Sequence, residues 1–283
     1  MSRLTTTDHN RESAGLTYVY PVISRRSGGL SIGINLNPNN ACNWQCIYCQ
    51  VPDLQRGNAP KIDLGKLENE LLLFLEDVLH GDFYDRFDVA TEHRLIRDIA
   101  FSGNGEPTSA KEFPDVIALI GRVIKKTTVS DQCKKVLITN GSLVGHQSVQ
   151  EGLKQLNGIG GEVWFKIDRA TEGGLKAINH AAISVPRMTE NLITASSLCC
   201  TWVQSCFFAI DGKPPDENEL QAYIDLLKKM RGQNIPLQGV LLYGLARPSL
   251  QPEADRLSPL DPVWIEKLAD KVKFLGYQVK INC

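Results

Sequence analysis

The sequence carries almost no net charge: 31 Lys and Arg against 32 Asp and Glu leave −1 over 283 residues. No strong field therefore calls for a nucleic acid or an anionic membrane, although a local basic patch is compatible with that balance. No apolar run reaches the length of a membrane span. Residues 1–15 are polar and lack the apolar core of a signal peptide, which points to a cytoplasmic protein. There is no internal repeat, no low-complexity segment and no glycine-rich fingerprint of a dinucleotide-binding Rossmann site. What is present is a globular composition, with 42% hydrophobic and 22% charged residues. The length suits one large domain or two small ones with a sizeable core.

Cysteine is the exception to this plainness. Of the eight, Cys42, Cys46 and Cys49 share one short stretch, LNPNNACNWQCIYCQ, with the spacing C-x3-C-x2-C. Eight cysteines, three of them clustered, suggest a reducing compartment and metal binding more than a disulfide framework. Soft sulfur ligands select zinc or an iron–sulfur cluster. A structural zinc site closes with a fourth Cys or His at a motif-like spacing. Here the next His is His80 and the next Cys is Cys133. Three ligands without a nearby fourth suit a cluster with one iron open to a ligand that is not protein. On the spacing alone a zinc loop, or thiols brought together by chance, is the alternative. Cys199, Cys200, Cys206 and Cys283 show no ferredoxin-type run, so no second cluster is expected.

The C-x3-C-x2-C loop, with the aromatic Tyr48 just before its third cysteine, resembles the radical S-adenosylmethionine (SAM) superfamily. The resemblance implies a 4Fe–4S cluster on Cys42, Cys46 and Cys49, with SAM chelating the open iron through its amino and carboxylate groups. It also implies reductive cleavage of SAM to methionine and a 5′-deoxyadenosyl radical that abstracts hydrogen from a substrate.

The chain order fits that reading. Residues 1–15 are expected to be a flexible arm and 16–29 an N-terminal extension. The core spans 30–250, and 251–283 add a C-terminal helix and strand to a single domain. Residues 17–23 read as an edge strand interrupted by Pro21. Strands follow at 30–36, 95–102, 134–139, 162–168, 201–211 and 237–246. Helices are expected at 64–80, 113–126, 145–155, 188–198, 217–231 and 262–275, with a short last strand at 277–281. Strand then helix, six times over, gives a parallel sheet with right-handed crossovers. With the special residues at the C-terminal tips of strands, the pattern predicts an α/β fold: a partial TIM-like (β/α)6 barrel.

The candidate site residues sit at those tips. Gly103, Asn104, Gly105 and Glu106 follow the 95–102 strand, where glycines let a backbone approach a ligand and a carboxylate can accept from an ammonium. The segment resembles the GGE motif that holds the SAM amino group, with Asn104 in place of the first Gly. Asn140, after the 134–139 strand, is the candidate for the SAM ribose or a plain turn. In 162–168, Val163, Phe165 and Ile167 alternate with Trp164, Lys166 and Asp168. Lys166 is a candidate for the SAM carboxylate and Asp168 for ribose or substrate; a structural Lys–Asp pair is the alternative. Gln204 and Arg247 are substrate candidates, Arg247 toward a carboxylate or phosphate. Cys206 reads as a buried small hydrophobe or as a hydrogen donor. Arg25 and Arg26 form a basic turn or an anion site.

The runs SRRSGGLSIGINL, SGNGEPT, WFKID, WVQSCFFAID and LYGLARP together resemble a small family of iron–sulfur oxidoreductases. That family lies near the radical SAM enzymes of tRNA wybutosine synthesis and the glycyl-radical activases. The substrate is then a small molecule or an RNA base. The alternatives are an activase acting on a partner protein and, outside enzymes, a zinc-binding scaffold. A flavodoxin- or ferredoxin-type electron donor is implied. Arg25, Arg26, Lys125, Lys126, Lys134 and Lys135 are the residues that could form an RNA-facing patch.

Overall fold

A computed structural model of the chain describes residues 4–5, 11, 14–24, 27–129 and 132–282. Arg25, Arg26 and Cys283 lie outside the described residues. One sheet organises the molecule. Its strands, in chain order, are β1 (Val19–Ser24), β2 (Gly29–Ile34), β3 (Ile96–Phe101), β4 (Lys134–Thr139), β5 (Glu162–Lys166), β6 (Cys200–Cys206), β7 (Leu237–Tyr243) and β8 (Gln278–Asn282). Their order in space is the same as in sequence. Only β1 pairs antiparallel, with Pro21 opposite Ile32. Every later neighbour is parallel. Pro21 sits on the edge strand, where its missing N–H leaves no gap in an inner ladder.

Parallel strands added in one direction through right-handed crossovers put all their helices on one face. Those helices are α1 (Leu64–His80), α2 (Phe113–Lys126), α3 (Gln147–Gly158), α4 (Glu172–Asn179), α5 (Val185–Leu198), α6 (Glu217–Gly232) and α7 (Pro262–Phe274). In α1 the buried residues Leu67, Leu71, Phe74, Leu75 and Val78 make one stripe, and the Asp63 carboxylate caps the start by accepting from Lys66 N. Helix-facing strand residues, among them Ile99, Phe101, Leu137, Val163, Phe165, Val203 and Leu242, are essentially unexposed. The other face lines a cavity of about 530 Å³ to which all eight strands contribute. β1 and β8 are not paired, so the barrel is open. The expected α/β partial barrel is thus what the chain forms.

Four details differ from the sequence reading. The 201–211 strand ends at Cys206, and the buried Phe207 and Phe208 follow it outside the sheet. Beyond them, Ala209–Ile210 pairs antiparallel with Leu257–Ser258. Helix α4 was not anticipated, and α5 begins three residues before Met188, capped by Ser184. The last strand is a full member of the sheet, paired with β7. Most of the expected arm lies outside the described residues; within it, Leu4 is buried and donates its N–H to Phe87 O.

Of the expected basic patch, Lys134 and Lys135 are not at the mouth of the barrel. Lys134 and Lys135 open β4, with Lys134 Nζ 3.4 Å from Glu162 Oε1. At about 3.3 Å per residue, Lys135 is about 16 Å along the strand from Asn140.

Candidate functional site

The cysteine loop leaves β2 at its C-terminal end and is fastened on three sides. At its start, Asn35 Oδ1 accepts from Asn37 N at 3.0 Å and Asn104 N at 3.1 Å, tying the loop to the tip of β3. In its middle, Gln45 N donates to Asn179 O at 3.1 Å and Ile47 N to Ile178 O at 2.9 Å, docking it on the last turn of α4. At its end, Cys49 O accepts from Leu250 N at 2.9 Å, and Ser249 Oγ donates to Ile47 O at 2.7 Å. Arg56 reaches across the outside, donating to Asn43 O at 2.9 Å and His180 O at 3.0 Å.

Gly105 explains how the tip of β3 comes so close. A Cβ there would lie 2.0 Å from the Ala41 carbonyl oxygen. At Gly103, φ is 143° and a Cβ would lie 2.4 Å from Asn35 Oδ1. The space that these glycines open is taken by the cysteine loop itself.

Cys42, Cys46 and Cys49 line a common cavity of about 150 Å³, together with Tyr48, Gly103, Asn104, Gly105, Glu106, Asn140 and Lys166. It adjoins the larger cavity, sharing Tyr48, Cys49, Ser102, Gly103, Ile138 and Lys166 with it. Ten of the residues singled out from the sequence thus line the smaller cavity, and Asp168, Gln204, Cys206 and Arg247 line the one beside it.

The sulfurs face donors. Trp44 N points at Cys42 Sγ at 3.4 Å, and Asn179 Nδ2 donates to Cys46 Sγ at 3.2 Å. Burial pushes the Cys42 thiol up to about 12, with the nearby Glu106 adding to the rise. Burial also pushes Cys46 up to about 11, against the pull of Lys166. A cationic metal centre reverses that balance, because coordination deprotonates the thiol. Among the described residues, no three His, Cys, Asp or Glu side chains converge on a point that a single metal ion can fill.

Glu106 is 2% exposed. Its Oε1 accepts from Thr108 N, Thr108 Oγ1 and Thr139 Oγ1 at 3.1, 2.6 and 2.6 Å, and its Oε2 from Asn140 N at 2.7 Å. Burial raises its carboxyl above the ordinary value, and these four donors work against the rise. The carboxylate therefore braces the tips of β3 and β4. Asn140 passes the brace onward: its Nδ2 donates to Asn43 Oδ1 at 2.8 Å, inside the cysteine loop, and its Oδ1 accepts from Ser142 N at 3.0 Å.

Lys166 and Asp168 do not pair directly. Lys166 Nζ donates to the Tyr48 hydroxyl at 2.5 Å, and that hydroxyl donates to Asp168 Oδ2. Asp168 is 1% exposed, and its carboxylate also accepts from Asn179 Nδ2 at 2.8 Å and Cys206 N at 2.9 Å. Burial alone would lower the Lys166 pKa, but Asp168 and the surrounding thiols raise it overall. Burial and Asp168 both raise Tyr48. The result is a charged ammonium held at the junction of the two cavities. On the far wall, Gln204 Oε1 is buried without a hydrogen-bond partner, and Arg247 Nη1 donates to Gln50 Oε1 at 3.1 Å.

Sequence reasoning missed Asn35, Asn43, Arg56 and Asn179. Asn35 and Arg56 meet distant backbone groups and Asn43 a distant side chain, and none of these partners leaves a pattern in the sequence. Asn179 ends the unanticipated helix, whose only sequence cue is the Thr171 cap on Gly174 N.

An open arc of in-order parallel strands, with three cysteines on the loop after its first parallel strand, is the partial barrel of radical SAM enzymes. The chain has that fold. It is similar to a structure of TYW1 with a lysine–pyruvate adduct bound, with a TM-score of 0.57 at 14% identity over 88% of this chain and 73% of that one. A radical SAM methyltransferase from Sphaerobacter thermophilus gives 0.56 at 11% identity over 93% and 68%. Archaeal TYW1 gives 0.50 at 13% identity over 94% and 77%. No family model matches the sequence. A protein named GTPase Obg from Brachyspira hyodysenteriae is 30% identical over 133 residues, which span 47% of this chain but 17% of that protein. No helix among the described residues is long and apolar enough to cross a membrane.

Proposed function

We propose that the chain is a radical SAM enzyme, with a 4Fe–4S cluster on Cys42, Cys46 and Cys49 and SAM in the cavity beside them. The observation that carries this reading is the shared cavity: three cysteines with this spacing, on this fold, face the tips of β3, β4 and β5. The cluster, when bound and reduced, supplies the electron that cleaves SAM to methionine and a deoxyadenosyl radical. The protein's own part is to bind, align and exclude. Backbone carbonyls of the Gly103–Glu106 segment offer acceptors to the amino group of SAM, while the Glu106 carboxylate holds the strand tips behind them. Lys166, oriented by Tyr48 and Asp168, offers its ammonium to the SAM carboxylate. Asn140 reaches the ribose side. Gln204 and Arg247, on the larger cavity, face the substrate, and the substrate's C–H bond is the hydrogen source. A one-electron donor of flavodoxin or ferredoxin type reduces the cluster in a cytoplasmic setting.

An activase acting on a partner protein is the less favoured reading. A zinc-binding scaffold is the reading outside enzymes. The test is anaerobic reconstitution with iron and sulfide, then dithionite and SAM, with deoxyadenosine as the readout. About four irons per chain are expected. Cys42→Ala, Cys46→Ala and Cys49→Ala each abolish deoxyadenosine formation. Zinc without iron or sulfide in anaerobically purified protein, or turnover in any of the three variants, overturns the assignment.

A further inference from the structure

We propose that Asn179 is a positioning residue that hydrogen-bonds the cluster-ligating sulfur of Cys46 and thereby sets how readily the cluster is reduced. The inference rests on the cluster reading above.

Asn179 is 0% exposed and is the last residue of α4. Its Nδ2 donates to Cys46 Sγ at 3.2 Å and to Asp168 Oδ2 at 2.8 Å. An amide nitrogen has two hydrogens, and these two contacts use both. The opposite orientation would set the amide oxygen against the Asp168 carboxylate, so the network fixes which atom faces the sulfur. Its Oδ1 is buried with no hydrogen-bond partner.

The position is fixed by more than the side chain. The main chain of Ile178 and Asn179 accepts from Ile47 N and Gln45 N, on either side of Cys46. The amide therefore cannot drift from the sulfur without pulling the loop apart. A donor aimed at a ligating sulfur stabilises the electron density that reduction adds, and such bonds are among the factors that set cluster potentials. Through Asp168, the same amide joins the Tyr48 hydroxyl and Lys166. One hydrogen-bonded chain thus runs from the Cys46 sulfur to the charged group at the cavity junction.

The experiment uses the reconstituted full chain without SAM. Wild type and Asn179→Leu are titrated potentiometrically with the reduced cluster read by electron paramagnetic resonance. Iron content and circular dichroism are recorded alongside. In Asn179→Leu the ratio of reduced to oxidised cluster at fixed potential falls about tenfold, a negative shift of about 59 mV for one electron. A merely structural role lowers iron content and leaves the potential of the remaining cluster unchanged, which overturns the inference. A second measurement needs no variant to fold. In wild type carrying 15N in asparagine side chains only, pulsed resonance detects a nitrogen coupled to the reduced cluster. Absence of that coupling overturns the inference, whatever becomes of the leucine variant. Where Asn179→Leu or Asn179→Asp folds, the coupling disappears in it. If wild type assembles no 4Fe–4S cluster at all, the functional reading itself fails and the inference falls with it.

Discussion

Replacing Glu106 by alanine tests whether this carboxylate holds the cluster end of the barrel together. At 2% exposure it accepts from two hydroxyls and two backbone N–H groups. The hydroxyls of Thr108 and Thr139 can turn toward other acceptors. The N–H groups of Thr108 and Asn140 cannot, and each buried donor left without a partner costs about 1–3 kcal/mol. Together that is about 2–6 kcal/mol. Removing the carboxylate also relieves its own desolvation, the cause that raises its pKa. The expected loss is therefore at the lower end, about 2–3 kcal/mol. A domain holds only about 5–15 kcal/mol in all, so the loss is readily measured. Urea unfolding of the iron-free protein, followed by tryptophan fluorescence, isolates the effect from cluster binding. A loss below about 0.5 kcal/mol, the range of an ordinary surface substitution, refutes the brace. Because Asn140 also holds Asn43 in the cysteine loop, iron uptake by Glu106→Ala should fall along with SAM affinity. The sequence alone predicts the second effect without the first.

The other predictions concern the same neighbourhood. The raised Glu106 carboxyl means that the folded chain keeps a proton which the unfolded chain releases, so stability from this group is present below its ordinary 4.5 and lost as pH rises through the folded value. Glu106→Gln cannot titrate and should lack that slope in unfolding curves taken from pH 4.5 upward; equal slopes contradict the claim. Gly105→Ala places a Cβ 2.0 Å from the Ala41 carbonyl oxygen and should cost about 1–3 kcal/mol, with poorer iron retention. An unchanged melting temperature and iron content would show that the two loops do not touch. Tyr48→Phe removes the hydroxyl between Lys166 and Asp168 and should destabilise the iron-free fold by about 1–3 kcal/mol in thermal melts. Arg56 is exposed, so Arg56→Ala should leave stability within about 1 kcal/mol while the reconstituted cluster is lost faster in air. Equal rates of iron release would place Arg56 outside the loop's support.

Much of this architecture was already written in residue order. The alternation of β5, with Val163 and Phe165 against Trp164 and Lys166, fixes which face meets the helices. Three cysteines at C-x3-C-x2-C fix where soft ligands gather, because seven or eight residues of loop cannot separate them far. Strand-then-helix repetition, with polar groups at the strand tips, fixes the parallel sheet and the end that carries the site. Local sequence can settle these points because side-chain period and loop length are properties of neighbouring residues.

Tertiary structure decided the partners. Glu106 could equally have met a ligand's ammonium; it accepts instead from the nearby Thr108 and, through the packing of β3 against β4, from Thr139 and the Asn140 backbone amide. Gly103 and Gly105 read as room for a ligand, yet the room is filled by Ala41 and Asn35 from a segment more than sixty residues earlier. Lys166 and Asp168 looked like a pair, but Tyr48 enters between them from the cysteine loop. Asn179 could not be found at all, since its significance comes from a sulfur 133 positions away. Hydrogen bonds between distant segments are satisfied after the chain has folded, and no periodicity in the sequence records which donor will face which acceptor.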